Sequence, residues 1–167
     1  MATVKQKAVS EPAGITIRRM SEHDLLEVVE IEEKSGLSRW GWAAYYAELQ
    51  GANRDLMLIA RPTYASIIES GPIAGYIVAR ETGGELHINN VAVRAEFRRR
   101  GIGAALLERV LQEARLRKAN AAFLEVRSGN RPAQALYIKN GFRAIATRAD
   151  YYSEPREDAV VMTLDLK

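Results

Sequence analysis

The sequence predicts a single α/β domain, a sheet with helices on both faces, and three observations carry that expectation. Strand-like and helix-like stretches are interleaved along the chain, with no internal repeat or low-complexity block between them. Gly83-Gly84 sits between the apolar runs PIAGYIVAR and ELHINNVAV, where a tight hairpin turn is needed. Of 167 residues, 47% are hydrophobic and 27% charged, enough apolar side chain for one core and enough charge to keep it in water.

Residues 1–13 are polar, aperiodic and contain Pro12, so they read as a flexible tail, and residues 14–167 as the domain. GITIRRM (14–20) reads as a first strand. Ser21 and Asp24 then make a capping-box-like start to a helix that carries Leu25, Leu26 and Val29 and ends near Gly36, with Met20 and Leu25 as a hydrophobic staple. Trp42, Tyr45, Tyr46 and Leu49, spaced three and four apart, mark a second helix stopped by Gly51. Strands follow at about 55–61, 72–80 and 85–93, a longer polar loop separating the first two. Ile102, Leu106, Val110 and Ala114 recur every four residues and mark a helix to about 118, after which AAFLEVR (121–127) is a short buried strand. Asn130 caps the next helix, Pro132 falls in its first turn, where a missing N–H is harmless, and Gly141 ends it. Two strands close the chain, at about 142–148 and 157–166.

Several chemistries are excluded by composition. The chain has no cysteine, which rules out disulfides, thiolate metal sites and an acyl group carried on a cysteine. His23 and His87 lie far apart without metal-ligand spacing, so no metal is expected. No stretch approaches the roughly 18 apolar residues of a membrane span and the opening segment lacks the apolar run of a signal peptide, so the expected location is the cytoplasm, with no membrane partner. The net charge of +3 suits an anionic ligand or ribosomal surroundings.

The Arg98-Arg99-Arg100 run taken alone is as compatible with plain solvated surface, but its context is specific. It lies in a turn that leaves the strand ending Val91-Ala92-Val93 and enters a helix through Gly101-Ile102-Gly103. The first amides of a helix lack intrahelical partners and the dipole is positive there, so backbone alone can grip a phosphate. Gly101 and Gly103 are expected to let that phosphate approach where a Cβ would block it. There is no GxxxxGK[ST], and GIGAAL has Leu106 where a dinucleotide fingerprint needs Gly or Ala.

What fits is R-x-x-G-x-G, followed by Asn130-Arg131-Pro132-Ala133-Gln134-Ala135-Leu136-Tyr137 and Gly141-Phe142. In these segments the chain resembles the GNAT family of N-acetyltransferases. That resemblance implies a mixed, mostly antiparallel sheet of about seven strands and acetyl-coenzyme A as co-substrate. It further implies backbone contacts from Val91, Ala92 and Val93 to the pantetheine and acetyl carbonyl, a pyrophosphate held by Arg99, Arg100, Gly101, Ile102, Gly103 and Ala104, and a hydrogen bond from the Asn130 side chain. The alternative reading makes Asn130 only a helix cap.

Transfer to an amine needs a neutral nitrogen, a stabilised oxyanion and a proton for the departing thiolate. Many members of the family place a glutamate base on the fourth strand, where this chain has Asn89. Glu125 is the alternative: Leu124 and Val126 face the other way, which leaves its carboxylate to point alone into a cleft, unless it is a strand-end surface group. Tyr137 follows Asn130 by two helical turns and is placed to act as proton donor, if it is not simply core.

Arg39-Trp40-Gly41 with Tyr45 and Glu48-Leu49, Leu124-Glu125-Val126-Arg127, and Tyr151-Tyr152 with Arg156-Glu157-Asp158-Ala159 and Met162 resemble the ribosomal-protein-alanine (RimI-type) branch of that family. This resemblance implies Glu125 as base, Tyr137 as acid and a protein N-terminus as acceptor, an N-terminal alanine of a ribosomal protein in particular. The branch reads Pro-Trp-Ser where this chain has Arg39-Trp40-Gly41, and the interval from Tyr151-Tyr152 to Arg156 is shorter here. Trp40, Tyr151 and Tyr152 are candidates for the substrate cleft or, alternatively, loop aromatics packed on the core. A small free amine or a lysine side chain is the rival acceptor, and a non-catalytic acetyl-coenzyme A sensor the rival outside enzymes. The arginines are not interleaved with stacking aromatics, so nucleic acid is not an expected partner, and a monomer is the expected state.

Overall fold

The computed structural model describes residues 10–66 and 72–167. The loop expected between the second and third strands falls partly outside them, as do residues 1–9 of the expected tail. Eleven regular elements follow in order: β1 (Ile15–Arg19), α1 (Leu25–Lys34), α2 (Gly41–Leu49), β2 (Met57–Pro62), β3 (Gly75–Thr82), β4 (Glu85–Val93), α3 (Ile102–Leu116), β5 (Ala121–Arg127), α4 (Arg131–Lys139), β6 (Arg143–Ser153) and β7 (Arg156–Asp165). They build a seven-stranded sheet of order β1-β2-β3-β4-β5-β7-β6. Every neighbouring pair is antiparallel except β4 with β5, which are joined through α3.

Alternation along β2 explains the layering. Leu58 and Ala60 pack in the cluster that contains Ile102, Leu106 and Val110 of α3, whereas Met57 and Ile59 pack with Leu25, Val28 and Ile31 of α1 and Tyr45 of α2. A strand buried on both faces needs a continuous apolar run, which MLIA supplies. The Gly83-Gly84 hairpin forms as expected, both glycines in the left-handed region at φ 61° and 83°.

Several expectations are corrected. Residues 10–13 lie against the domain: the Ile17 amide donates to the Glu11 carboxylate at 3.2 Å, the Ile15 amide to Pro12 O at 3.0 Å, and Arg109 meets Glu11 at 3.5 Å. Leu26 is 77% exposed; Val28 and Ile31, not Leu26, carry the buried stripe of α1, because they share a face with Leu25. Trp42 and Tyr46 of α2 also face solvent, stacked on each other with ring centroids 4.9 Å apart, and Tyr45 is the residue that enters the core. The β6 strand runs on to Ser153, so Tyr151 and Tyr152 lie in a strand and not in a loop.

The entry to α1 rests on Asp24. Its carboxylate accepts from the Ser21 amide at 2.7 Å, from Arg18 at 2.8 and 2.9 Å and from Arg61 at 3.1 Å, while its side chain is 1% exposed. Burial alone would raise the Asp24 pKa, but hydrogen bonds and charge from Arg18, together with Ser21, hold it below the ordinary 3.8. A depressed carboxylate stabilises the fold above its unfolded pKa, and that contribution is lost as pH falls through the folded value. Replacing Asp24 by Asn is therefore expected to cost about 3 kcal/mol in urea unfolding at neutral pH. The gap from the parent protein should close as the pH is taken below about 4.

Candidate active site

Strand β4 carries one residue more than β3 at Asn89: Val78 pairs with Asn90, yet Ala79 pairs with Ile88. The bulge turns the strand over. Leu86 and Ile88 belong to the α3 side of the core, whereas Asn90 and Ala92, also even-numbered, lie on the α1 side. Pairing of β4 with β5 stops at the same place, at Ile88 with Leu124, although the two strands continue to Val93 and Arg127. The edge of β4 from Asn89 to Val93 that would have met β5 is thereby released, and a cleft of about 200 Å3 opens there.

Into that cleft the structure brings Trp40, Val91, Glu125, Asn130, Tyr137, Tyr151 and Tyr152. These positions come from four elements, β4, β5, α4 and β6, and from the residues just before α2 and α4. Ala92 points the other way, into the α1 side of the core, and Val93 and Arg98 border a second hollow of about 100 Å3 beside Lys34 and Arg94.

At the β4–α3 turn, Arg98 Nε donates to Val93 O at 3.1 Å, Arg99 adopts φ 62° and Gly101 φ 77°. The first intrahelical bond of α3 runs from Ala105 N to Gly101 O, and no side chain caps the helix among the described residues. The amides of Ile102, Gly103 and Ala104 thus precede the ladder, at the positive end of a 15-residue helix with no acid in its first turn. The turn fits a diphosphate. At Gly101 the left-handed backbone itself calls for glycine, while within the protein a Cβ at Gly103 would meet only Leu136 at 3.4 Å and Val93 at 3.8 Å, ordinary contacts.

Glu125 does not stand alone. Its side chain is 13% exposed, Oε2 lies 2.6 Å from His87 Nε2, and Oε1 lies 3.7 Å from Arg148. Tyr137 is buried beside Phe142, and burial, with a smaller contribution from Tyr152, pushes its phenol up to about 12. The Asn130 carboxamide caps α4 by accepting from Ala133 N at 3.2 Å, which leaves its NH2 as the group available to a ligand in the cleft.

Two polar networks hold the walls. Glu32, 1% exposed, accepts from the Trp40 amide at 2.7 Å and the Tyr45 hydroxyl at 2.8 Å, and Tyr45 in turn meets Tyr76 and Asn90 at 2.9 Å. Burial drives both phenols far above their ordinary range, so Tyr45 and Tyr76 remain neutral donors. On the other wall Arg127 donates to Glu154 O at 3.1 Å and Pro155 O at 2.9 Å, pairs with Glu157 at 3.3 Å and lies 4.2 Å from the Tyr152 ring. Extra residues in β6 between Arg148 and Tyr152, with Asp150 at φ 52° and clamped by Arg156 at 2.6 and 2.8 Å, let two adjacent tyrosines both reach the cleft.

Comparison with known proteins agrees with this geometry. The profile of the Acetyltransferase (GNAT) family matches residues 25–142. The chain belongs to the GNAT family. It is an acetyl-coenzyme A-dependent N-acetyltransferase. Among its relatives in the family, the [ribosomal protein bS18]-alanine N-acetyltransferase of Escherichia coli K12 is 30% identical over 153 residues, 90% of this chain and 97% of that one. The crystal structure of the ribosomal-protein-S18-alanine N-acetyltransferase from Escherichia coli superposes with a TM-score of 0.77 at 30% identity, over 92% and 94% of the two chains. Ard1 from Thermoplasma volcanium gives a TM-score of 0.80 at 27% identity, over 92% and 98%.

In this GNAT chain His87 is the residue of the cleft that motif reading passed over. The alternation of ELHINNVAV put His87 on the same side as Asn89, but only pairing with β5 brings it to Glu125. Gly101→Ala is expected to weaken acetyl-coenzyme A binding about tenfold in calorimetry, since a Cβ in the left-handed region costs about 1–2 kcal/mol. Unchanged affinity would show that the turn tolerates another backbone.

Proposed function

We propose that the enzyme acetylates the α-amine of a protein N-terminus beginning with alanine or another small residue, a ribosomal protein being the acceptor class. One observation carries this reading: among the described residues, Glu125 is the single carboxylate lining the cleft, and it shares that cleft with Tyr137 and with aromatic walls from two separate elements. The names of the relatives, alanine N-acetyltransferases of a ribosomal protein, support the acceptor. An α-amine has a pKa near 7.7–8, so a carboxylate base can serve it at neutral pH, whereas a lysine ammonium near 10.4 is a harder target.

In this reading the amides of Ile102 to Ala104, with Arg98, Arg99 and Arg100 around them, hold the pyrophosphate, and the released edge of β4 at Val91 to Val93 receives the pantetheine arm. Trp40, Tyr151 and Tyr152 wall the acceptor side. The amine nitrogen attacks the thioester carbon directly, in keeping with the lack of cysteine, and the C–S bond breaks. Glu125 takes the amine proton and Tyr137 protonates the departing sulfur.

A phenol near 12 stays protonated at neutral pH, as a donor must. Against a solvated thiol of pKa about 8.5 the transfer is uphill by roughly 5 kcal/mol. A thiolate born in the same desolvated cleft has its basicity raised by the same burial, which narrows that gap.

Mass spectrometry of a peptide library after incubation with enzyme and acetyl-coenzyme A should find the acetyl group on the α-amine of peptides that begin with small residues. Acetylation confined to lysine side chains, polyamines or free amino acids would overturn the acceptor. Tyr137→Phe is expected to lower turnover about 100-fold while the calorimetric affinity for acetyl-coenzyme A stays within about twofold. Unchanged turnover would remove Tyr137 as the donor.

A further inference from the structure

Among the described residues, helix α2 starts without a cap of its own: Trp40 stands at its N-cap, where it offers no oxygen, and the first turn has no acid. The amides that open the helix are held by a carboxylate from another one. Glu32 of α1, 1% exposed, accepts from Trp40 N at 2.7 Å and from Gly41 N at 3.2 Å. An anion in that place takes up the unpaired N–H groups of a helix start and faces the positive end of its dipole. The remaining partners of Glu32 are the Tyr45 hydroxyl at 2.8 Å and the Asn90 NH2 at 3.4 Å, so all four of these donors are neutral. A carboxylate taken out of water with no cation against it is costly, and what it holds in return is Trp40.

The Trp40 ring is fixed as well as its backbone. It packs on Tyr45 with ring centroids 5.4 Å apart, and the Arg80 guanidinium lies 5.0 Å over it, itself clamped by Glu48 at 2.7 and 2.8 Å. Tyr45 is fully buried, and its hydroxyl, besides donating to Glu32, meets Tyr76 and Asn90 at 2.9 Å. Trp40 therefore lines the cleft as a wall set by an amide, a phenol and a cation, while Tyr151 and Tyr152 line it from β6.

We propose that Glu32 is a specificity-determining positioning residue: by fixing Trp40 it limits the first side chain of the acceptor to a small one. This rests on a protein N-terminus as the acceptor. Glu32 does not itself line the cleft, so it acts through Trp40 and touches no reacting atom.

The cleft, about 200 Å3, has to take the acetyl thioester together with the first residue of the acceptor, so the place of one indole decides how much side chain fits. A wall free to shift would admit a larger side chain at little cost. A wall held from three directions refuses it. Selectivity is a difference of two affinities, and a rigid clash against the larger side chain supplies that difference without a tighter grip on the smaller.

The test is steady-state kinetics of the full chain on two peptides that differ only in their first residue, alanine or leucine. The proteins compared are the parent, Glu32→Gln, Tyr45→Phe, Trp40→Ala, and Glu32→Gln combined with Trp40→Ala. Glutamine has the size of glutamate but cannot accept at both oxygen positions, so Glu32→Gln should lower the alanine-over-leucine ratio of kcat/KM about tenfold. The change should lie in the KM for the peptides, with turnover on the alanine peptide and the calorimetric affinity for acetyl-coenzyme A within about twofold of the parent. Tyr45→Phe keeps the ring and removes one donor; it should move the ratio the same way, by about threefold, and it keeps the test open if the glutamine variant fails to fold. Trp40→Ala should lower the ratio at least as far as Glu32→Gln, and the combined variant no further, because a residue that acts through another is not additive with it. An equal fall in kcat/KM on both peptides in Glu32→Gln and Tyr45→Phe, or two effects that add in the combined variant, overturns the role of Glu32 and leaves the acceptor class standing. A parent protein that acetylates neither peptide removes the acceptor, and the role of Glu32 with it.

Discussion

Strand β4 has to accommodate one residue that β3 does not match, and the consequences of that mismatch run through the molecule. The extra residue, Asn89, moves the following side chains to the opposite face, so Asn90 joins the buried network with Tyr45 while Val91 turns toward the cleft. It also ends the pairing with β5 at Ile88. A parallel pair that continued would have spent the β4 amides and carbonyls on β5, with no room for a ligand between the strands. Because the bulge is internal to a sheet buried on both faces, packing on either side keeps it in register.

The two walls of the cleft are built on different principles. On the α1–α2 side a buried carboxylate, Glu32, is surrounded by donors from Trp40, Gly41, Tyr45 and Asn90, an arrangement that fixes a loop by satisfying every partner of a charge hidden from water. On the other side the β6–β7 hairpin is held by Arg127 and by Glu157, which accepts from the Gly129 amide at 2.6 Å, so the end of β5 and the segment leading into α4 are tied to the hairpin. Both devices set the direction of aromatic side chains before any ligand arrives, which is where preorganisation lowers the cost of binding.

Much of the site was legible because its residues sit in local motifs. The β4–α3 turn can be read from a strand, a basic segment and two glycines entering a helix, since the unpaired amides are a property of any helix start. Glu125 and Tyr137 were reachable through alternation in a strand and spacing in a helix. His87 was not, because nothing in its own segment says that residue 87 will lie across from Phe123 and within reach of Glu125. The cooperation of Tyr151 with Tyr152 was also hidden: alternation sends neighbours to opposite faces, and only the irregular β6 backbone around Asp150 brings both to one.

The order of elements, the two-faced burial of the sheet, the hairpin at Gly83-Gly84 and the glycine turn with its unpaired helix amides were set by the chain alone, since each depends on residues within a few positions of one another. Which strands neighbour which, where β4 parts from β5, and which side chains face each other across the gap were decided only by the tertiary structure. The physical reason is range. Propensity, capping and periodicity act along a few residues of backbone, whereas the register of a sheet and the meeting of His87 with Glu125 follow from which of many possible pairings buries the most surface with its polar groups satisfied.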